Sequence, residues 1–210
     1  MKNFYLRLGS SLVIGPAFLL SLYEVGFFFY SLLFLLLLTS IYEVFKNVKQ
    51  FFLSLALYFL ILFFIFSLFH IRGSNNNDYI ILVWLISIVW TSDIGGYVFG
   101  KMFKGPKLTN YSPNKTISGL VGSIVFSQVS FLILYLFLDY NHLTLKLFIL
   151  QFFLCIIAVC GDIFFSYIKR TNQIKDYSNL IPGHGGILDR IDGLIFVVII
   201  YYFIRYFNVT

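Results

Sequence analysis

The sequence predicts an all-α, polytopic integral membrane protein with about seven transmembrane helices. Three observations predict it. The 210 residues are 60% hydrophobic and 11% charged, too little polar surface for a soluble domain of this size. Apolar residues run in stretches near the ~20 residues that a bilayer crossing requires. The polar residues collect in a few places, above all 101–116 and 169–192. No polar window is long enough to fold by itself, so 1–210 reads as a single membrane domain.

The apolar segments run roughly 8–23, 26–45, 50–69, 79–100, 117–138, 147–168 and 193–208. The first follows Lys2 and Arg7 and resembles a signal peptide. It has no clear small-x-small cleavage site, and more apolar segments follow at once, so a retained helix is expected. A tight turn at Glu24–Gly26 leads to the second. The sixth holds Cys155 and Cys160, which lack CxxC spacing and read as packing or lipid-facing residues. No internal repeat is visible.

Charge orients these segments. With the amino terminus inside, the inside loops carry Lys2, Arg7, Lys46, Lys49, Lys101, Lys104, Lys107, Lys115, Lys169, Arg170, Lys175 and Arg190. The outside carries Arg72, Lys146 and Arg205. Twelve cations against three is a strong positive-inside bias. It explains the net charge of +6 without nucleic acid as a partner. It places both polar loops on the cytoplasmic face and the carboxyl terminus outside.

The richest stretch is Ser166 to Asp192, S-Y-I-K-R-T-N-Q-I-K-D-Y-S-N-L-I-P-G-H-G-G-I-L-D-R-I-D. Polar residues concentrated at one place in a membrane protein point to chemistry there. Just before it, Asp162 shares a helix face with Ser166 and with Lys169 or Arg170. A charge near the end of an apolar helix costs about 2–3 kcal/mol unless paired. By itself, Asp162 reads first as pairing with Arg170 or anchoring the helix end. His184-Gly185-Gly186 offers backbone N–H groups before a new helix, a turn able to cradle phosphate. Glycines also simply make turns.

Asp189 and Asp192 lie three apart on the first turn of the last helix. Two like charges there suit a divalent cation between them, and hard carboxylate oxygens suit Mg²⁺. The plain alternative is compensation of the helix dipole, which explains one aspartate better than two. A second constellation holds Asp93, then Ser112-Pro113-Asn114-Lys115-Thr116-Ile117-Ser118-Gly119. Lys115 and Thr116 stand just before a helix, where an ammonium and a hydroxyl can hold a triphosphate. Lys101, Lys104 and Lys107 need only the positive-inside rule.

These residues resemble the phosphatidate cytidylyltransferases, the CDP-diacylglycerol synthases. Their signature is matched here by Ser166, Lys169, Arg170, Lys175, Asp176, Pro182, His184, Gly185, Gly186, Asp189, Arg190 and Asp192. The family's Asp-x-x-x-Tyr-x-x-Gly and Ser-Pro-x-Lys-Thr segments resemble the 93–119 region. The likeness covers the carboxyl-terminal 120 residues or so, the amino-terminal helices matching in hydropathy alone. Two positions depart from it: Phe165 and Ser118 stand where the family usually has Glu. The chain is also shorter than typical members.

The resemblance implies a reaction of CTP with phosphatidate to CDP-diacylglycerol and pyrophosphate, on motifs at 93–119 and 162–192. It implies Asp162 and Asp189 as metal ligands, assisted by Asp192 or Asp93, with Mg²⁺ as cofactor and a second cation left open. Lys115, Lys169, Arg170, Lys175 and Arg190 would neutralise phosphates. Ser112, Thr116, Ser166, Gly185 and Gly186 would contact substrate, and His184 would shape the loop. The expected setting is a bacterial inner membrane, with a cytoplasmic active face, inner-leaflet phosphatidate and a homodimer left open. Two alternatives stand beside this reading: a CTP-dependent transferase for another lipid phosphate, and an ion-coupled transporter using Asp93, Asp162 and Asp189.

Overall fold

A computed structural model of the chain describes residues 2–73, 76–109, 111–113, 115–137, 145–181 and 185–207, with side chains from Val13 onward and without those of 76, 77 and 137. Among the described residues the fold is helical and without strands. Its elements are α1 (Lys2–Tyr23), α2 (Phe27–Asn47), α3 (Phe51–Arg72), α4 (Asn76–Phe103), α5 (Ile117–Ser127), a 3₁₀ turn (Gln128–Ser130), α6 (Phe131–Phe137), α7 (Leu145–Thr171) and α8 (Leu188–Tyr206).

Helices occupy all the expected apolar segments. Among the described residues, five stretches are long and apolar enough to cross a membrane: Phe27–Asn47, Phe51–Arg72, Asp78–Phe103, Ile117–Leu136 and Leu145–Thr171. Among the described residues the protein is thus all-α with five candidate spans, fewer than the about seven expected from hydropathy. Helix α8 falls short because Asp189, Arg190, Asp192 and Arg205 charge both of its ends. The apolar part of α1 with described side chains, Val13–Tyr23, is too short by itself.

The chain forms two compact units, Met1–Ser74 with Ile168–Ile191, and Asn75–Tyr167 with Asp192–Thr210. In the first, the turn between α1 and α2 passes through Gly26 at φ 153°, a backbone conformation that favours glycine. Phe29, Leu33, Leu36 and Val44 of α2 and Leu57, Ile61, Phe64 and Leu68 of α3 form its core. In a bilayer these side chains gain from close packing against one another rather than from leaving water. Arg72 is 2% exposed. Its Nε donates to Leu22 O (2.6 Å) and its Nη2 to Tyr23 O (2.6 Å). A helix end leaves carbonyls without partners, and this guanidinium satisfies two of them.

In the second unit, α4 and α5 touch backbone to backbone. A Cβ on Gly95 would meet Gly122 O at 2.3 Å, and one on Gly119 would meet Gly96 O at 2.8 Å. Small residues permit such an approach within a membrane, where close packing and hydrogen bonds hold helices together. Ser123 Oγ donates to Ser92 O (2.7 Å) across the same seam. The 3₁₀ turn after α5 is tied down by Gln151 of α7, fully buried. Its Nε2 donates to Ser127 O (2.8 Å), and its Oε1 accepts from Trp84 Nε1 (2.7 Å). Arg205 of α8 pairs with Asp78 of α4 at 2.7 Å.

Candidate active site

The glycine seam sets the spacing of the first group of site residues. Asp93, Gly96 and Tyr97 come from α4, Lys115 and Thr116 from the entry to α5, and Asp162 from α7. Together with Ser112, Gly119, Ser123 and apolar neighbours they line a cavity of about 260 Å³ in the second unit. Lys115 Nζ forms an ion pair with the Asp162 carboxylate, each side chain about a quarter exposed. Ser166 Oγ, one turn along α7, donates to Asp162 Oδ1 at 3.4 Å.

The loop that carries Lys115 is shaped by its own backbone. Leu108 N donates to Lys115 O (2.7 Å), Lys115 N to Ser112 O (3.1 Å) and Ile117 N to Pro106 O (3.1 Å). Thr116 then caps α5, its Oγ1 accepting from Gly119 N at 3.0 Å. The first turn of α5 thus brings the positive end of a helix to the cavity. Ser118, where a Glu was expected from the resemblance, donates its hydroxyl to Lys104 O.

The second group lies in the first unit. Lys169 Nζ pairs with Asp189 Oδ1 at 2.7 Å, the side chains being 13% and 4% exposed. The other oxygen, Asp189 Oδ2, accepts from Tyr177 N (2.8 Å) and Gly186 N (3.0 Å). Ile181 and Gly185 exchange backbone bonds, Ile181 N to Gly185 O (2.9 Å) and Gly185 N to Ile181 O (3.2 Å). The residues between them, 182–184 with His184, lie outside the described residues. The N–H groups of both Gly185 and Gly186 are therefore engaged by protein oxygens. Arg170, Lys175 and Arg190 are exposed on the same segment.

Asp192 is half-buried and accepts from Gly193 N at 2.8 Å. It is not among the cavity's lining residues, yet its backbone packs next to Asp162: a Cβ on Gly161 would meet Asp192 O at 3.0 Å. Phe165 is fully buried, with rings of Phe164 and Phe196 at 5.6 and 6.3 Å.

One carboxylate escaped sequence reasoning. Glu43 of α2 is fully buried and binds the loop before α8. The available signal was an acid inside an apolar helix, the same signal that drew attention to Asp93 and Asp162.

No group of three or more His, Cys, Asp or Glu side chains is placed to hold a metal among the described residues. The cavity still offers two carboxylates, Asp93 and Asp162, with the hydroxyls of Ser112, Thr116 and Ser123. These hard oxygens fit Mg²⁺, which binds through one or two carboxylates and takes its other ligands from water and phosphate. Asp162 accepts Lys115 and Ser166, and Asp189 accepts Lys169 and two backbone donors.

The cytidylyltransferase family profile matches residues 5–207. The chain is 34% identical to a phosphatidate cytidylyltransferase of Rickettsia bellii, over 97% of this chain and 91% of the relative. It is 31% identical to that of Rickettsia typhi, over 96% and 91%. A Staphylococcus saprophyticus protein of the same name is 38% identical over 60% of this chain and 48% of the relative. The likeness thus extends through the amino-terminal helices, beyond the part that motifs alone reveal.

Proposed function

Because the chain belongs to the cytidylyltransferase family, we infer that it makes CDP-diacylglycerol and pyrophosphate from CTP and phosphatidate. The observation that carries this reading is the cavity at the start of α5 where Lys115 pairs with Asp162 and which Asp93 also lines. A phosphatidate oxygen forms the new bond to the α-phosphorus of CTP, and the bond from that phosphorus to the pyrophosphate oxygen breaks. The attacking phosphate is already an anion, so no strong general base is required. Catalysis then rests on neutralising and aligning two polyanions.

Lys115 and the amino-terminal end of α5 attract the phosphates. Thr116 holds that end in register through its cap. Asp93 and Asp162 would hold Mg²⁺, with Ser112 nearby as a neutral oxygen donor. When bound, the ion supplies charge neutralisation for the CTP phosphates and the departing pyrophosphate. Lys169, Arg170, Lys175 and Arg190 of the signature segment would add positive charge for phosphate neutralisation.

The protein is an integral membrane protein. The reading takes α1 and α8 as further crossings, which puts the loops 101–116 and 169–192 on the cytoplasmic side of a bacterial inner membrane. Phosphatidate is then drawn from the inner leaflet, its tails remaining in the bilayer. The family match favours neither a transporter nor a different lipid phosphate.

Purified protein with labelled CTP, MgCl₂ and phosphatidate tests the reading. CDP-lipid is expected, lost with EDTA and restored by Mg²⁺. No CDP-lipid under any of these conditions sinks the activity; full activity in excess chelator removes the metal.

A further inference from the structure

Helix α4 carries one exposed stripe to the rim of the cavity. Trp90, Ile94, Tyr97 and Lys101 recur at helical spacing, so they share a face. All four are exposed, and so is Asp93 on the same face. Tyr97 lines the cavity and is 68% exposed, which makes it part of the rim. Lys101 Nζ stands 3.5 Å from the Tyr97 hydroxyl and 5.6 Å from the centre of its ring.

The stripe changes character along its length. Trp90 and Ile94 are apolar; Tyr97 and Lys101 offer a phenol and an ammonium. Helix α4 holds one of the candidate spans, Asp78–Phe103, and Lys101 lies in its last turn. In a bilayer this sets the polar end at the level of the headgroups and the apolar part among acyl chains. The positive-inside rule asks for Lys101 on that side of the membrane. It does not ask for the ammonium beside a tyrosine at the rim of a cavity. A molecule that fits the whole stripe carries an anion at one end and a hydrocarbon chain at the other. CTP does not fit: it arrives from water, and Trp90 and Ile94 on a membrane-spanning helix offer its phosphates nothing. Phosphatidate fits both parts.

We propose that this stripe is the phosphatidate subsite: Lys101 and the Tyr97 hydroxyl take the lipid phosphate at the rim, and an acyl chain lies along Ile94 and Trp90. The proposal takes its lipid from the activity inferred above and rests on that reading. It gives the two substrates separate approaches to one cavity, CTP by Lys115 and the start of α5, the lipid by α4. All these residues belong to the same compact unit. It also gives selectivity. A zwitterionic lipid such as phosphatidylcholine has the chains but brings a cation with its phosphate, which Lys101 disfavours.

The chain has two tryptophans. Trp84 is 1% exposed and Trp90 46% exposed, so Trp90 is the one that a lipid-borne quencher reaches. In mixed micelles with MgCl₂ and no CTP, phosphatidate with brominated acyl chains should quench at a mole fraction about fivefold below that needed by brominated phosphatidylcholine, the scale of one lysine at an anionic surface. Lys101→Ala should abolish the preference and Lys101→Arg should keep it. Equal quenching by the two lipids in the wild type overturns the subsite. In turnover, Lys101→Ala should raise the KM for phosphatidate about fivefold and leave the KM for CTP within about twofold of wild type. A rise for CTP alone, or for both substrates alike, overturns the assignment to the lipid. Preferential quenching by phosphatidate in a protein that makes no CDP-lipid overturns the activity and supports the lipid site.

Discussion

Lys115 and Asp162 form an ion pair at the wall of the cavity that Asp93 also lines. The pair joins a cation suited to phosphate with a carboxylate suited to Mg²⁺. Asp162→Asn keeps the shape and removes the charge. Turnover should fall about 100-fold or more, and half-maximal activity should need about tenfold more Mg²⁺. Near-normal turnover at limiting Mg²⁺ would remove Asp162 from the proposed metal site.

Asp189 should behave differently. Its oxygens hold Lys169, Tyr177 N and Gly186 N in a nearly dry setting. Asparagine replaces one acceptor with a donor and leaves Lys169 without its counter-ion. Asp189→Asn should lose about 2–4 kcal/mol of stability. Thermal unfolding in detergent reads the loss, and the Mg²⁺ titration should be closer to wild type than that of Asp162→Asn. A shifted Mg²⁺ requirement with unchanged stability would make Asp189 a ligand instead.

Restoring the acids that the family usually carries should give opposite results at the two positions. Phe165 is enclosed by Phe164 and Phe196, so Phe165→Glu buries a charge in an aromatic cluster. It should cost about 3–5 kcal/mol and reduce accumulation. Ser118 is partly exposed, so Ser118→Glu should accumulate normally. Equal yields of the two variants would contradict the burial of Phe165.

Gly122→Ala tests the seam between α4 and α5. The new Cβ would lie 2.5 Å from Gly95 O and 2.4 Å from Phe99 Cβ. Separating these helices should cost about 1–3 kcal/mol and shift Asp93 relative to Thr116. Activity per folded molecule should fall. Unchanged activity would show that the cavity tolerates the displacement.

Topology can be read by cysteine labelling after Cys155 and Cys160 are replaced. Positions 115 and 175 should react only from the cytoplasmic side. Reaction from the outer face at 175 would invert the orientation.

Hydropathy and charge are additive along a chain, so the helical segments, the polar loops and the positive-inside bias were legible by position alone. The clustering of Asp93, Lys115 and Asp162 was legible only as a set of suspects. So was the stretch from Lys169 to Asp192. The count of crossings was less secure, because α8 mixes an apolar middle with charged ends.

What each carboxylate holds depends on which helix comes alongside. The sequence by itself determined an all-helical membrane protein and singled out 93–119 and 162–192 as the candidate segments for its chemistry. Tertiary structure alone decided that Asp162 takes Lys115, that Asp189 takes Lys169 and two amides, and that Arg72 closes the end of α1. It alone brought Glu43 to Ile187, 144 positions away. The physical reason is that an acid in an apolar helix must find donors, and nothing in its own neighbourhood of sequence specifies where they come from.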